Sequence, residues 1–366
     1  MDNCFQSPMP EPPNGLPKAG FEFPVVSRET VFPNDPTPVD SIAHPLQTPL
    51  VVADRLLNQG YEHYQANQFE AALESLQQAY ALYQQLRDEA GQARVLSSLG
   101  QTYYTMKHYA KAIKYSQSAL TLAQKVQDRR NIIKILATLG NAYRHLKEME
   151  RSIEYQQQSL AVAQEIQDRR GEMAALNNLG LAYKALGDAA IAIHYEERSL
   201  LIAREVGDDR VEEQILKNLG NACYALGDYV KAVDYYQQRL ALAREVNDHR
   251  TEGQILRNLG NTYYALGDYH RAIEYNKQRL LVAQEINDHR GEEQALGSIG
   301  VAYDALGNYT KAIDYYEQRL AIARRMQDHR VEEQVLGSLK VAYFALGDVA
   351  KAADYSRQRQ EMLQTN

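Results

Sequence analysis

The stretch from Leu219 to Asp248 reads LGNACYALGDYVKAVDYYQQRLALAREVND, and this pattern recurs along most of the chain. Its glycine returns every 40 residues without an insertion, at Gly60, Gly100, Gly140, Gly180, Gly220, Gly260 and Gly300. An aspartate keeps the same spacing, at Asp88, Asp128, Asp168, Asp208, Asp248, Asp288 and Asp328. A fixed period of this length is typical of repeat architectures, in which every unit is one supersecondary element.

Each unit contains two stretches with the apolar spacing of an amphipathic helix. In the unit that begins at Asp208, the first stripe consists of Ile215, Leu216, Leu219, Gly220, Cys223 and Leu226. Gly227 can then adopt the left-handed conformation that ends a helix, and Asp228 can cap the next helix. The second stripe consists of Tyr229, Ala232, Val233, Tyr235, Leu240, Ala243 and Val246. The unit is therefore predicted to be a helical hairpin, in which Gly220 and Ala232 are small where the helices approach closely and Leu219 and Tyr235 fill the gaps.

A single hairpin of this kind leaves one apolar face uncovered until the next hairpin stacks on it. The period gives eight units, at about residues 51–87, 88–127, 128–167, 168–207, 208–247, 248–287, 288–327 and 328–366. In the last unit Lys340 replaces the periodic glycine and Gln360 replaces the usual leucine, as expected where no further hairpin covers the surface. The sequence therefore predicts an all-α solenoid of eight helix pairs over residues 51–366.

The first 50 residues have a different composition. All eleven prolines of the chain lie between Pro8 and Pro49, and this segment carries six acidic residues against two basic ones. Such a composition predicts a disordered, proline-rich, acidic tail over residues 1–50. The GFEFPVV stretch around Glu22 mixes an acid with apolar side chains, so self-binding of the N-terminal tail is a second hypothesis. A plain disordered tail is the alternative.

Charge and composition exclude several classes of function. The net charge is −7, and residues 51–366 hold 38 basic and 41 acidic residues, so a broad basic field for nucleic acid is absent. Only Cys4 and Cys223 are present, which argues against a disulfide framework and a cysteine-based zinc site. The first residues lack the basic start and apolar run of a signal peptide, and no stretch approaches 18 consecutive apolar residues. We therefore expect a cytoplasmic protein without membrane insertion.

The sequence contains none of the common catalytic motifs. There is no glycine-rich phosphate loop, no H-E-x-x-H and no G-x-S-x-G. His249, His289 and His329 recur once per unit. Neighbouring histidines would then be roughly 16 to 20 Å apart, for two interhelix distances of 8 to 10 Å, which is too far to share an ion. We expect no enzymatic activity, no cofactor and no metal.

The quoted stretch resembles a tetratricopeptide repeat (TPR), in the 40-residue form found in LGN/Pins-like scaffold proteins and in many bacterial repeat proteins. The Leu-Gly, Tyr, Leu-Gly-Asp-Tyr and Ala signals recur in register over residues 51–364. The resemblance implies helix pairs coiled into a right-handed superhelix, whose first helices line a concave groove for extended peptides. Arg239, Arg279 and Arg319 depart from the family, which usually has a small residue there. No segment follows the repeats where an LGN-like protein carries Gα-binding motifs, so we expect no direct G-protein role.

A ladder of polar residues follows the face of each first helix opposite its apolar stripe. Its members in the third to sixth units are Asn141, Arg144, Asn177, Asn178, Lys184, Lys217, Asn218, Asn221, Tyr224, Arg257, Asn258, Asn261 and Tyr264. Asparagine costs roughly 0.5 kcal/mol against alanine inside a helix, so its repeated use favours a function. Its donors and acceptors can pair with the backbone of an extended peptide, and Lys184, Lys217 and Arg257 would attract carboxylates. The alternative is that these positions are merely solvated and were copied with the repeat.

Toward the C-terminus the ladder becomes small and apolar, with Val301 and Phe344 as candidate anchor residues. The ladder predicts a non-enzymatic scaffold or adaptor whose protein or peptide ligand has acidic and apolar segments. An assembly factor that holds a folded subunit and an LGN-like signalling regulator without Gα-binding motifs are the two alternatives.

Overall fold

The computed structural model describes residues 48–365, and α-helices account for nearly all of them, with no strand in this range. Thr48 caps the first helix and Pro49 is its first residue, a position that suits proline because no helical partner for its nitrogen is needed there. The predictions of a disordered tail and of its self-binding concern residues 1–50, of which residues 1–47 lie outside the described part of the chain.

Sixteen helices follow one another over the described residues, and consecutive helices pack against each other. Their bounds are α1 (Pro49–Gln65), α2 (Phe69–Gln85), α3 (Glu89–Thr105), α4 (Tyr109–Lys125), α5 (Arg129–His145), α6 (Met149–Glu165), α7 (Arg169–Leu186), α8 (Ala189–Val206), α9 (Asp209–Ala225), α10 (Tyr229–Glu245), α11 (His249–Ala265), α12 (Tyr269–Glu285), α13 (His289–Ala305), α14 (Tyr309–Arg325), α15 (His329–Ala345) and α16 (Val349–Thr365). We call each odd-numbered helix a first helix, the next one its second helix, and the pair a unit. The predicted all-α solenoid of repeated helix pairs is confirmed.

Every first helix from α3 to α15 begins at the periodic aspartate, as predicted. In each case the aspartate side chain accepts a hydrogen bond from the backbone N–H three residues later, for example from Thr251 to Asp248 at 3.0 Å. Gly227 has a φ of 79°, and Asp228 caps α10 by accepting from the N–H of Lys231. The turn between helices in this unit therefore follows the chemistry that the sequence indicates.

The first and second helices of a unit approach each other closely at the periodic glycine. A Cβ atom at Gly220 would lie 2.6 Å from Cε1 of Tyr236, so no larger residue fits without movement. The second-helix residues that face the seven periodic glycines differ from unit to unit; they are Leu76, Ser116, Gln156, Glu196, Tyr236, Asn276 and Tyr316. Tyr236, which the sequence pattern did not single out, faces Gly220, whereas Tyr235 is half-buried, packs against the core and donates a hydrogen bond to Glu197.

Two residues of the predicted apolar stripes are exposed. Leu226 is 56 % exposed and Val246 is 71 % exposed, whereas Ile215, Leu216 and Leu219 are fully buried. Both exposed residues are the C-cap residues of their helices, where the chain leaves the helical path and the stripe no longer faces the core.

Candidate functional site

A cavity of about 560 Å³ lies between the first helices of units 1 to 3. Tyr61, Tyr64 and Tyr104 line it, together with the basic residues Arg94 and Lys134. We call it the N-terminal cavity. Because this cavity spans three consecutive first helices, it lies on the continuous surface that stacked repeats form along the solenoid.

A second cavity, of about 460 Å³, lies between the first helices of units 6 and 7. Arg257, Asn261 and Tyr264 of α11 line it, and Val301 of α13 contributes an apolar side chain to its lining. We call it the C-terminal cavity. A third cavity of about 670 Å³ adjoins it and shares Arg257 with it; we call this one the arginine cavity.

Five of the predicted site residues line these cavities. They are Asn141 in the N-terminal cavity and Arg257, Asn261, Tyr264 and Val301 in the C-terminal cavity. The others lie elsewhere on the first helices; they are Arg144, Asn177, Asn178, Lys184, Lys217, Asn218, Asn221, Tyr224, Asn258 and Phe344. Most of the predicted residues are exposed or half-buried, but Asn218 is buried and accepts a hydrogen bond from Gln214 at 3.2 Å.

Several asparagines of the ladder bond to the residues that face the periodic glycines. Tyr236 donates from its hydroxyl to Oδ1 of Asn221 at 2.8 Å, and Gln156 donates to Oδ1 of Asn141 at 3.3 Å. Asn178 in turn donates to Oε1 of Gln156 at 3.4 Å. These bonds offset part of the helical cost of asparagine within the protein itself. The partners lie on the second helices, so the spacing along the first helices does not indicate these bonds.

Glu196 is a buried carboxyl group that the sequence argument also missed. It is 1 % exposed, faces Gly180 and lies near the predicted site residues Lys184 and Asn218. Burial raises the pKa of Glu196 to about 7, while the charge of Lys184 and a hydrogen bond from Asn218 oppose this. No atom of residues 48–365 makes a hydrogen bond to its Oε1. The only sequence signal was its membership in the series of glycine-facing positions.

Arginines recur at one position of the second helices in units 5 to 8. Arg239 donates from Nε and Nη2 to Oε1 of Glu213 at 2.7 and 2.6 Å. Arg319 binds Glu293 in the same way, with both distances at 2.6 Å, and Arg359 binds Glu333 at 2.8 Å. The arginines that depart from the family pattern are thus mostly matched by a glutamate on the first helix of the same unit.

In unit 6 the match is broken. Gly253 stands where the other three units have glutamate, and Arg279 instead donates from Nη2 to Oε1 of Gln294 at 2.7 Å. Arg279 lines both the C-terminal cavity and the arginine cavity. In the sequence, Arg279 stands out only as a departure from the family pattern.

No helix of residues 48–365 is both long and apolar enough to span a membrane. No group of three or more histidine, cysteine, aspartate or glutamate side chains in the same range is placed to hold a metal ion.

Comparison with solved structures shows the same fold. A signal transduction ATPase with numerous domains and a tetratricopeptide repeat sensor, from Pyrococcus horikoshii, superposes with a TM-score of 0.55 at 19 % identity over 86 % of this chain and 48 % of that one. RapI matches with a TM-score of 0.53 at 16 % identity, over 75 % of this chain and 99 % of its own. Aspartyl phosphate phosphatase F from Bacillus subtilis gives 0.52 at 17 % identity, over 75 % and 71 %.

The chain therefore spans about half of the ATPase, and the low identities carry the likeness no further than the fold. No curated protein sequence matches the chain. The family model described as tetratricopeptide repeat matches residues 53–125, 131–205, 171–245, 211–280 and 251–325. These matches cover well over half of the sequence and coincide with the helix pairs, and the chain belongs to the tetratricopeptide repeat family.

Proposed function

We propose that the protein is a non-enzymatic scaffold or adaptor that binds an extended segment of another protein along its first helices. The observation that carries this proposal is the C-terminal cavity, where Arg257, Asn261 and Tyr264 of one unit meet Val301 of the next. A cation, an amide, an aromatic ring and an apolar side chain around one cavity suit a peptide with acidic and apolar residues.

Exposed apolar side chains support an apolar anchor further along the same helices. Tyr224, Tyr264, Val301, Val341 and Phe344 are all exposed although they belong to first helices. Phe344 and Val341 lie on α15, the last first helix of the described chain, one unit beyond Val301. The proposed ligand therefore has its polar or acidic part on units 3 to 6 and its apolar part on units 7 and 8.

The experiment starts from a protein that the full chain captures from its source cells and tiles that protein as short synthetic peptides. At least one peptide should bind with an affinity close to that of the whole captured protein. Charge reversal at Lys217 and Arg257 should then weaken peptide binding most at low salt, where the attraction is strongest. The matched control is charge reversal at Lys114, an exposed residue of the second helix α4. Equal affinity of all variants at low salt would remove the assignment to the first helices.

An assembly factor that holds a folded subunit is the second candidate. Leu201 and Leu281 favour it, because both are exposed and occupy the same position of second helices α8 and α12. A folded partner would contact such a surface, and no short peptide of that partner would reproduce its binding. The peptide tiling therefore separates the two functions. For either function we propose a reducing, cytoplasmic location, which suits the free thiol of Cys223.

A further inference from the structure

Unit 6 contains a buried arginine without the carboxylate that its counterparts have. Arg239, Arg319 and Arg359 each pair with a glutamate 26 residues earlier in the chain. The residue 26 positions before Arg279 is Gly253, which has no side chain to offer. Among these four units, therefore, only unit 6 has the arginine without a glutamate partner.

Arg279 has no ion-pair partner among the described residues. The side chain is 6 % exposed. Asp288 accepts the capping bond of Gly291, and Glu293 is already paired with Arg319. Burial, with the charge of Arg257 as a second cause, lowers the pKa of Arg279 to about 10, and the charges of Asp288 and Glu293 oppose this. A buried charge without a counterion is costly, so a ligand that supplies one gains affinity.

The space left by the absent side chain at Gly253 is part of the arginine cavity. Gly253 lines this cavity of about 670 Å³ together with Arg250, Arg257, Arg279 and Arg290. Arg290 is paired with Asp328 at 2.5 Å, but neither Arg250 nor Arg257 forms an ion pair with a residue of the described range. The cavity thus contains three arginines without an ion pair, and Asp288, the one carboxylate in its lining, forms no ion pair with any of them within residues 48–365.

Packing does not require a glycine at this position. A Cβ atom at Gly253 would meet only Cγ1 of Val282, at an ordinary contact distance of 3.7 Å. Glycine inside a helix costs about 1 kcal/mol relative to alanine. Unlike Gly220, therefore, Gly253 weakens its helix without allowing a closer approach of two helices.

We propose that the arginine cavity binds a carboxylate of the peptide ligand, which takes the place that Glu213, Glu293 and Glu333 hold in the other units. The internal pairs give the geometry: one carboxylate oxygen accepts from Nε and Nη2 of the arginine at 2.6 to 2.7 Å. Arg257, which is exposed and lines both cavities, adds a second cation at the mouth. This inference rests on the proposed function and specifies which chemical group of the ligand binds in unit 6. Either an acidic side chain or a terminal carboxylate can supply it.

The test restores the missing partner. Gly253→Glu places an internal carboxylate 26 residues before Arg279, as in the three paired units, and Gly253→Gln is the uncharged control of the same size. Both variants should keep the helical circular dichroism spectrum, since the position has room for a side chain. The glutamate variant should also have the higher melting temperature of the two, because it neutralises Arg279.

The probe is hexaglutamate with both ends blocked, titrated into the full chain by calorimetry at low ionic strength. Hexaglutamate should bind the unchanged protein, and Gly253→Glu should weaken binding about tenfold or more, since the tethered carboxylate competes at high effective concentration. Gly253→Gln should weaken it far less. Blocked hexaglutamine, which carries no carboxylate, should not bind. Hexaglutamine with a free C-terminal carboxylate tests whether the site also takes a terminal carboxylate. If this peptide binds and Gly253→Glu abolishes its binding, the site accepts a terminal carboxylate as well.

Absence of binding by both anionic peptides, or equal affinities for the glutamate and glutamine variants, would overturn the carboxylate site. Those results would leave the proposed function standing if a tiled peptide of a captured protein still binds the first helices. Conversely, failure of every tiled peptide would reject the proposed function even where hexaglutamate binds. The two experiments therefore fail separately.

Discussion

Glu196 of α8 faces Gly180 of α7 so closely that a Cβ atom on the glycine would lie 2.6 Å from Cγ of the glutamate. This contact holds a carboxyl group inside the helix pair, at a position where the neighbouring units have Gln156 and Tyr236. An ionisable group at such a place links the stability of the unit to pH.

We predict that the contribution of Glu196 to the free energy of unfolding decreases as pH rises. Burial raises the pKa of Glu196 from 4.5 to about 7, so the folded state keeps its proton where the unfolded state has lost it. The stabilisation is therefore complete below pH 4.5 and declines up to about pH 7. Glu196→Gln should remove the decline and be more stable at pH 8 by about 1 to 3 kcal/mol. Urea unfolding between pH 5 and pH 8 measures this, with the exposed Glu274→Gln as control; parallel curves for Glu196→Gln and wild type would contradict it.

Two glycines should respond oppositely to the same substitution. Gly220→Ala places a methyl group 2.6 Å from Tyr236 and should destabilise the protein by about 1 to 3 kcal/mol. Gly253→Ala makes only an ordinary contact with Val282 and should stabilise the protein by up to about 1 kcal/mol, because alanine restricts the unfolded chain. Thermal unfolding followed by circular dichroism compares the two. A loss of stability in Gly253→Ala would mean that the helix around this position has no room for a side chain.

The periodic aspartate should contribute both a hydrogen bond and a charge. Asp248→Ala removes the acceptor of the Thr251 N–H and should cost about 0.5 to 2 kcal/mol, whereas Asp248→Asn keeps an acceptor and should cost less. The backbone bond from Thr251 holds the pKa of Asp248 below its usual range. Its contribution is thus present above the pKa of the unfolded state and is lost as pH falls through the folded value. Urea midpoints at neutral and acid pH check both points; an alanine variant as stable as the asparagine variant would rule out the cap.

The proposal of self-binding predicts a specific effect of removing the tail. A chain that begins at residue 47 keeps Thr48 and therefore the cap of α1. If the acidic tail binds the first helices, this shorter chain should bind a tiled peptide more tightly than the full chain, since a tethered competitor is gone. Calorimetry with the same peptide on both chains decides between the two interpretations of the tail, because a plain tail leaves the affinity unchanged.

Local signals in the sequence were sufficient for most of the fold. Asp248 caps its helix and Gly227 adopts a left-handed conformation because both depend on the few residues around them. The errors arose where a stripe was extended beyond the end of its helix, as at Leu226 and Val246. Tyr236 was missed because both tyrosines fit an amphipathic helix, and only the position of the facing Gly220 distinguishes its role from that of Tyr235.

The site was less predictable because its chemistry depends on pairs of residues on different helices. Arg257, Asn261 and Tyr264 could be assigned to one face by spacing alone, and the structure brings them together around one cavity. Arg279 could not be recognised in this way, because its state depends on whether a glutamate stands 26 residues earlier. Glu196 was missed for a similar reason, since its burial results from the absence of a side chain at Gly180.

The residues that face the periodic glycines give the solenoid an unusual kind of freedom. Most of these positions hold different side chains, apolar at Leu76, amide at Gln156 and acidic at Glu196, while the helices that carry them are all 17 or 18 residues long. One substitution at a glycine-facing position can thus change the polarity inside a single unit without moving the neighbouring units. Such substitutions offer a way to adjust selectivity for a partner one unit at a time, because the arrangement of the helices stays the same.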